Sequence, residues 1–144
     1  MAAEKADLVV VHKGRRMLEL WSDGRVADRY RVALGFSPKG HKQYEGDGKT
    51  PEGTYVVESR NANSAFYKSL KIDYPNAADI AHARTRGRSA GGMIMIHGIK
   101  NGKSPAQLQH PRKDWTEGCI AVTDREMDQI WSRVDDGTPV LIMP

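Results

Sequence analysis

Met93-Ile94-Met95-Ile96-His97-Gly98 and Asp114-Trp115-Thr116-Glu117-Gly118-Cys119-Ile120-Ala121-Val122-Thr123 are the two stretches whose reading decides the fold. The first is a short apolar run that ends in a histidine and a glycine, the pattern of a buried strand delivering an imidazole at its end. The second holds the single cysteine of the chain, placed between a glycine and another apolar run. A thiol is a nucleophile only as thiolate, and a free pKa of about 8.5 leaves little of that form at neutral pH. An imidazole within reach removes the proton, so Cys119 and His97 are the candidate nucleophile and base. Gly118 lets backbone approach a substrate closely. The amides of Gly118 and Cys119 are candidate oxyanion donors, and Thr116 offers a hydroxyl to the same pocket. The bland reading stands beside this one: a cysteine among Ile120, Ala121 and Val122 is more often a small core residue.

Working outward, Thr123-Asp124-Arg125-Glu126 is a capping box that opens a helix. Met127, Ile130, Trp131 and Val134 follow at i, i+3, i+4 and i+7, one apolar face. Asp136-Gly137 stops the helix, and Val140-Leu141-Ile142 reads as a closing strand. Towards the N-terminus, Leu8 to His12, Met17 to Trp21 and Tyr30 to Leu34 read as three strands joined at Gly14-Arg15 and Asp23-Gly24, an antiparallel meander. Gly35 to Gly53 is loop. Gly48-Lys49-Thr50 is no phosphate loop, because Gln43 stands where that motif needs a glycine. Thr50-Pro51-Glu52-Gly53 is a turn, Thr54 to Glu58 a strand and Phe66 to Ile72 another. Asp73 to Asn76 turns the chain. A short helix is expected from Asn76 to Thr85 and a helical turn over Pro105 to Gln109. The expectation is one mainly-β domain over residues 1–144, with one clear helix in its C-terminal half and short additional helical turns.

Composition narrows the function classes. No run approaches the ~18 apolar residues of a membrane span. Met1 to Asp7 lacks the shape of a signal peptide, which leaves a cytosolic protein or one whose leader was removed. Five histidines share no ligand spacing and there is no Cys-x-x-Cys, so no metal site is expected. A net charge of +4 favours anionic partners in general. The one basic cluster, Arg84-Thr85-Arg86-Gly87-Arg88, has no interleaved aromatic and reads as a solvated loop rather than a nucleic-acid surface.

His97-Gly98 followed by Thr116-Glu117-Gly118-Cys119-Ile120 resembles the signature of the L,D-transpeptidase (YkuD) family of bacterial cell-wall enzymes. Lys49-Thr50-Pro51-Glu52-Gly53-Thr54-Tyr55 is similar to that family's upstream Thr-Pro-x-Gly element. Asp114-Trp115-Thr116 and Ala121-Val122-Thr123 look most like its periplasmic YafK-like sub-branch. The resemblance implies a β-sandwich of mixed sheets with Cys119 as nucleophile, His97 as general base, Gly98 backbone orienting the imidazole, and Gly118 and Cys119 as oxyanion donors. It also implies attack on the carbonyl between an L-centre residue and D-alanine of a peptidoglycan stem peptide. The acyl group of the resulting thioester then passes to an amine or to water, releasing the thiol, and the resemblance implies no metal or cofactor. A hydrolase of amidase or L,D-carboxypeptidase type, such as one releasing an envelope lipoprotein from peptidoglycan, is the rival, and a non-catalytic wall-binding module is the alternative of another class. The cell envelope or periplasm is the implied location. Three departures stand out: Glu117 in place of a second histidine, Ala121 in place of an arginine or asparagine, and a longer gap between His97 and Thr116. Glu117 is read as a contact for substrate amines or a modulator of His97, with an exposed structural carboxylate the rival reading. Tyr74, Trp115 and Arg88 are read as groove residues, with rim packing the rival role for Trp115.

Overall fold

The apolar positions of the first third of the chain alternate or run together over five to seven residues, and in a computed structural model, which describes residues 4–144, they form a meander. Strand β1 (Leu8–His12) pairs antiparallel with β2 (Met17–Ser22), and β2 with β3 (Arg25–Arg31). The third strand begins five residues before the expected Tyr30. Its only fully buried side chain is Tyr30, so Arg25, Ala27 and Arg29 face solvent, as an edge strand allows. The apolar Val32-Ala33-Leu34 that suggested a strand is buried, but it leaves β2 and crosses towards the site.

Strand β4 (Gly53–Ser64) is much longer than the expected Thr54 to Glu58. Its second half is polar and gives no apolar signal, yet its backbone pairs with β5 (Tyr67–Ile72). Its first half pairs instead with β8 (Pro139–Met143), so β4 joins two halves of the structure, with register shifts where it bends. With β6 (Met95–His97) and β7 (Ile120–Ala121), the strand order is β3-β2-β1-β8-β4-β5-β6-β7. The sheet is mixed: β1 with β8 and β6 with β7 are parallel, the other pairs antiparallel. Single bridges from Ala33 to Ala121 and from Gly35 to Thr116 bring the chain after β3 against β7, so the sheet folds over on itself around one core.

Helix α1 (Ala77–Thr85) starts at an Asn76 cap, and α2 (Pro105–Leu108) is a single turn capped by Ser104. In α3 (Asp124–Arg133) both halves of the Thr123/Glu126 capping box form, which satisfies amides that a helix start leaves free. Met127, Ile130 and Val134 are fully buried, each stabilising the fold by roughly 1.5–3 kcal/mol. Trp131 packs at the margin of that core. Among the described residues no helix is long and apolar enough to cross a membrane.

Candidate active site

The parallel pairing of β6 with β7 sets Ile96 beside Ile120 and His97 beside Ala121. One residue back along each strand, Cys119 falls beside Met95, and the Met95 amide donates to the Cys119 Sγ at 3.3 Å. Cys119 and His97 therefore lie diagonally across two neighbouring strands, on the same face because side chains alternate with a period of two. Both open into one cleft of about 790 Å³ whose walls also include Phe36, Lys42, Phe66, Met93 and Trp115.

His97 is 1% exposed and its ring stacks on Phe66 at 4.3 Å between centroids. Its Nδ1 lies 2.7 Å from the Gly98 carbonyl oxygen. A carbonyl only accepts, so Nδ1 carries the hydrogen and Nε2 holds the free lone pair. That Nε2 has no protein hydrogen-bond partner among the described residues. Burial pushes the His97 pKa down to about 4, against a smaller opposing pull from the hydrogen bond to Gly98. Cys119 is half-buried. Burial pushes its thiol up to about 11, against the Met95 amide and the Lys42 charge, which pull it down, while the Glu117 charge pushes it further up. At neutral pH the resting pair is thus a neutral thiol and a neutral imidazole. They are not hydrogen-bonded to each other: the thiol donates instead to the Met93 carbonyl at 3.3 Å.

Backbone around the cysteine is tightly specified. Gly118 has φ +145°, and a Cβ there would stand 2.8 Å from the Lys49 carbonyl oxygen. The upstream Thr-Pro-x-Gly stretch thus lies directly against the cysteine turn, and Thr50 Oγ1 accepts from the Gly35 amide at 3.1 Å.

The L,D-transpeptidase catalytic domain (YkuD) family model matches residues 6–142. The chain belongs to the YkuD family. It is 30% identical over 133 residues to a relative from Escherichia coli (strain K12) described as "Putative L,D-transpeptidase YafK", covering 88% of this chain and 46% of that protein. The chain spans about half the length of the curated relatives it matches. Among solved structures, the helical cell shape determining protein Pgp2 from Campylobacter jejuni superposes with a TM-score of 0.72 at 24% identity, over 99% of this chain and 49% of that one. An L,D-transpeptidase from Xylanimonas cellulosilytica gives a TM-score of 0.61 at 19% identity, over 97% and 61%. At those identities the likeness is one of fold.

Within this YkuD domain the structure assembles some of the residues singled out from sequence and disperses others. His97, Cys119, Gly118, Thr116, Trp115 and Glu117 all line the cleft. The Thr116 hydroxyl, however, does not face it freely. It donates to the Cys119 carbonyl oxygen at 2.7 Å and accepts from the Gly118 amide at 3.1 Å, closing the turn. Gly118 N–H, one of the two expected oxyanion donors, is therefore already engaged by the Thr116 hydroxyl in the resting turn. Cys119 N–H makes no hydrogen bond among the described residues. Gly98 has its expected contact with the imidazole. Glu117 is exposed and makes no hydrogen bond to His97, so its influence on the site is through charge on Cys119.

Tyr74 is not a groove residue. It is 1% exposed and donates its hydroxyl to the Ala90 carbonyl at 2.8 Å, because the turn at Pro75 folds the ring into the core. Arg88 is also outside the cleft, with its guanidinium stacked 4.3 Å over the Tyr44 ring. Trp115 sits on the rim 5.7 Å from the His97 ring and donates to His110 Nδ1 at 3.1 Å.

Four residues of the site escaped the sequence reading. Phe66 covers the imidazole, and Asp124 accepts the Ile99 amide at 2.8 Å, pinning the backbone that follows His97. His110 holds Trp115, and Lys42 is a buried cation in the cleft wall. Asp124 had a signal, since a carboxylate in a helix's first turn is a standing acceptor for nearby amides. Lys42 had none, lying in an aperiodic loop.

Proposed function

We propose that this domain is a cysteine acyl-transfer enzyme acting on peptidoglycan stem peptides, with Cys119 as nucleophile and His97 as general base. The observation that carries the reading is the single-tautomer imidazole and the cysteine placed diagonally across paired strands in one cleft. In the proposed first half-reaction, Cys119 rotates away from the Met93 carbonyl, its proton passes to His97 Nε2, and Sγ attacks the amide carbonyl of the donor. The Cys119 N–H donates to the oxygen on which charge develops. Collapse breaks the C–N bond, His97 returns the proton to the departing amine, and a thioester remains. In the second half, an acceptor amine loses a proton to His97 and attacks the thioester, restoring the thiol.

Glu117 and Glu45 stand at the rim as exposed carboxylates, which favours an ammonium-bearing acceptor near the thioester. Water in the same position gives hydrolysis, and the product distinguishes the two. Such a substrate places the protein in the bacterial cell envelope. Incubation with purified muropeptides, followed by mass spectrometry of protein and products, tests the proposal. The expected result is a donor-acyl adduct on Cys119 and new cross-linked or trimmed muropeptides, both abolished by Cys119→Ala. Sacculus binding unchanged in Cys119→Ala and His97→Ala, with no product from any variant, would establish a binding module instead.

A further inference from the structure

Two lysines of this chain are buried, and their surroundings differ in a telling way. Lys13 places all three ammonium hydrogens on protein acceptors: Gly40 O at 2.8 Å, Thr50 O at 2.6 Å and Glu52 Oε2 at 3.1 Å. It is a fully satisfied clamp on the loop. Lys42 is 3% exposed and has two acceptors, Tyr44 O at 3.1 Å and Asp47 Oδ1 at 2.9 Å. An ammonium has three hydrogens, so one is left without a partner among the described residues. Its Nζ lies 3.8 Å from the position a Cβ on Gly118 would take, and the residue lines the cleft.

The turn at the cysteine lacks what Lys42 has to give. Gly118 N–H is tied to the Thr116 hydroxyl, which is itself tied to the Cys119 carbonyl. Freeing that amide would open the turn that positions the nucleophile. One backbone donor of the turn, Cys119 N–H, remains for a developing oxyanion, a charge that acyl-transfer sites stabilise with preorganised donors from backbone or side chains. Lys42 is held in place by a carboxylate that is rigid in turn: Asp47 also accepts the amides of Gln43, Tyr44 and Lys49 at 2.9, 3.0 and 3.1 Å. That arrangement costs little reorganisation when charge appears. The Lys42 charge already acts favourably on the Cys119 thiolate, while the other charge felt there, from exposed Glu117, acts the opposite way.

We propose that the Lys42 ammonium, with the Cys119 N–H, forms the oxyanion cradle of this site, in the place that sequence reasoning gave to the Gly118 amide. The inference rests on Cys119 being the nucleophile, but not on the identity of its natural substrate. Lys42 is on this account a catalytic residue, stabilising a negative oxygen that exists only during acyl transfer.

Two small probes separate that role from thiol tuning and from loop clamping. Iodoacetamide alkylates Sγ by displacement and passes through no oxyanion. p-Nitrophenyl acetate acylates it: the Sγ–C bond forms, the C–O bond to nitrophenolate breaks, and the thiol proton leaves through His97 to water. Lys42→Met removes the charge. Lys42→Gln removes it while keeping an amide to bond Asp47, so the loop is retained if the methionine variant misfolds. Both rates are measured at one pH for wild type and variants whose circular dichroism matches. The expected result is acylation slowed at least tenfold more than alkylation; loss of a single oxyanion donor costs roughly 10²–10³ in turnover in other acyl-transfer sites. Equal slowing of both reactions, no slowing of either, or a wild type inert to the ester would each overturn the proposal. A raised KM for muropeptides with ester acylation unchanged would overturn it too, by making Lys42 a substrate anchor. Ester acylation dependent on Lys42 in a protein that leaves muropeptides untouched would sink the peptidoglycan reading and leave the cradle standing.

Discussion

Acidification should weaken this fold through His97 by an amount the structure sets. The imidazole is sealed by Phe66 and the strand beneath it, and its pKa is pushed from the ordinary 6.5 down to about 4. A depressed pKa stabilises the native state above 6.5, where both states are neutral, and that contribution is lost as pH falls towards 4, because the unfolded chain takes up a proton that the native chain refuses. Integrating the difference gives a loss of about 2 kcal/mol by pH 5 and about 3 kcal/mol by pH 4. Carboxylates held low by hydrogen bonds, such as Asp47 and Glu19, titrate over the acid range as well. The informative quantity is therefore the stability gap between wild type and His97→Gln. Urea denaturation followed by circular dichroism should show the variant gaining on wild type by about 3 kcal/mol between pH 7 and pH 4. A gap that stays constant within about 0.5 kcal/mol over that range would refute the claim that His97 is buried as a neutral ring.

Three further outcomes follow from the same geometry. Alkylation of Cys119 by iodoacetamide should keep rising about tenfold per pH unit beyond pH 9, because the thiol titrates near 11; a plateau at pH 8–9 would show an ordinary or activated thiol. Gly118→Ala should destabilise the fold by roughly 1–3 kcal/mol and abolish acylation, given φ +145° and the Lys49 carbonyl 2.8 Å from the new Cβ; thermal denaturation and the ester burst measure both. Phe66→Ala should admit water over the imidazole and move the His97 pKa up towards 6.5, read from the ring proton shifts by NMR; an unchanged titration would show that the other walls supply the burial.

What sequence made legible follows physical lines. Strand β1 and helix α3 were readable because each carries its own signal, a continuous β-branched run in one and a capping box with a 3.6-residue apolar face in the other. The second half of β4 was not: residues 59–63 are mostly polar and exposed, with no alternating apolar signal, and only pairing with β5 makes them a strand. The same division runs through the site. His97 and Cys119, which line one cleft, were readable as candidates because each ends or opens an apolar run, whereas Phe66 and Lys42 reach the cleft from segments whose local pattern says nothing of it. Tyr74 and Arg88 were misplaced for the converse reason, since an aromatic or an arginine in a loop looks available until its partner, the Ala90 carbonyl or the Tyr44 ring, is seen.

On the proposed acyl-transfer reading, the arrangement reconciles an unreactive resting thiol with a nucleophilic role. A permanently ionised cysteine would react with any electrophile, and here burial opposes ionisation of both partners. The thiol is parked on the Met93 carbonyl, where a left-handed residue (φ 56°) follows Gly91 and Gly92 into β6. On that proposal, a substrate entering beside that segment would displace the thiol towards an imidazole whose lone pair is already fixed in direction by Gly98. Proton transfer would then coincide with attack instead of preceding it. Selectivity would then reside in occupancy of the cleft rather than in the intrinsic reactivity of sulfur. The register of two short parallel strands, Ile96 with Ile120 and His97 with Ala121, is what makes that coincidence geometrically available.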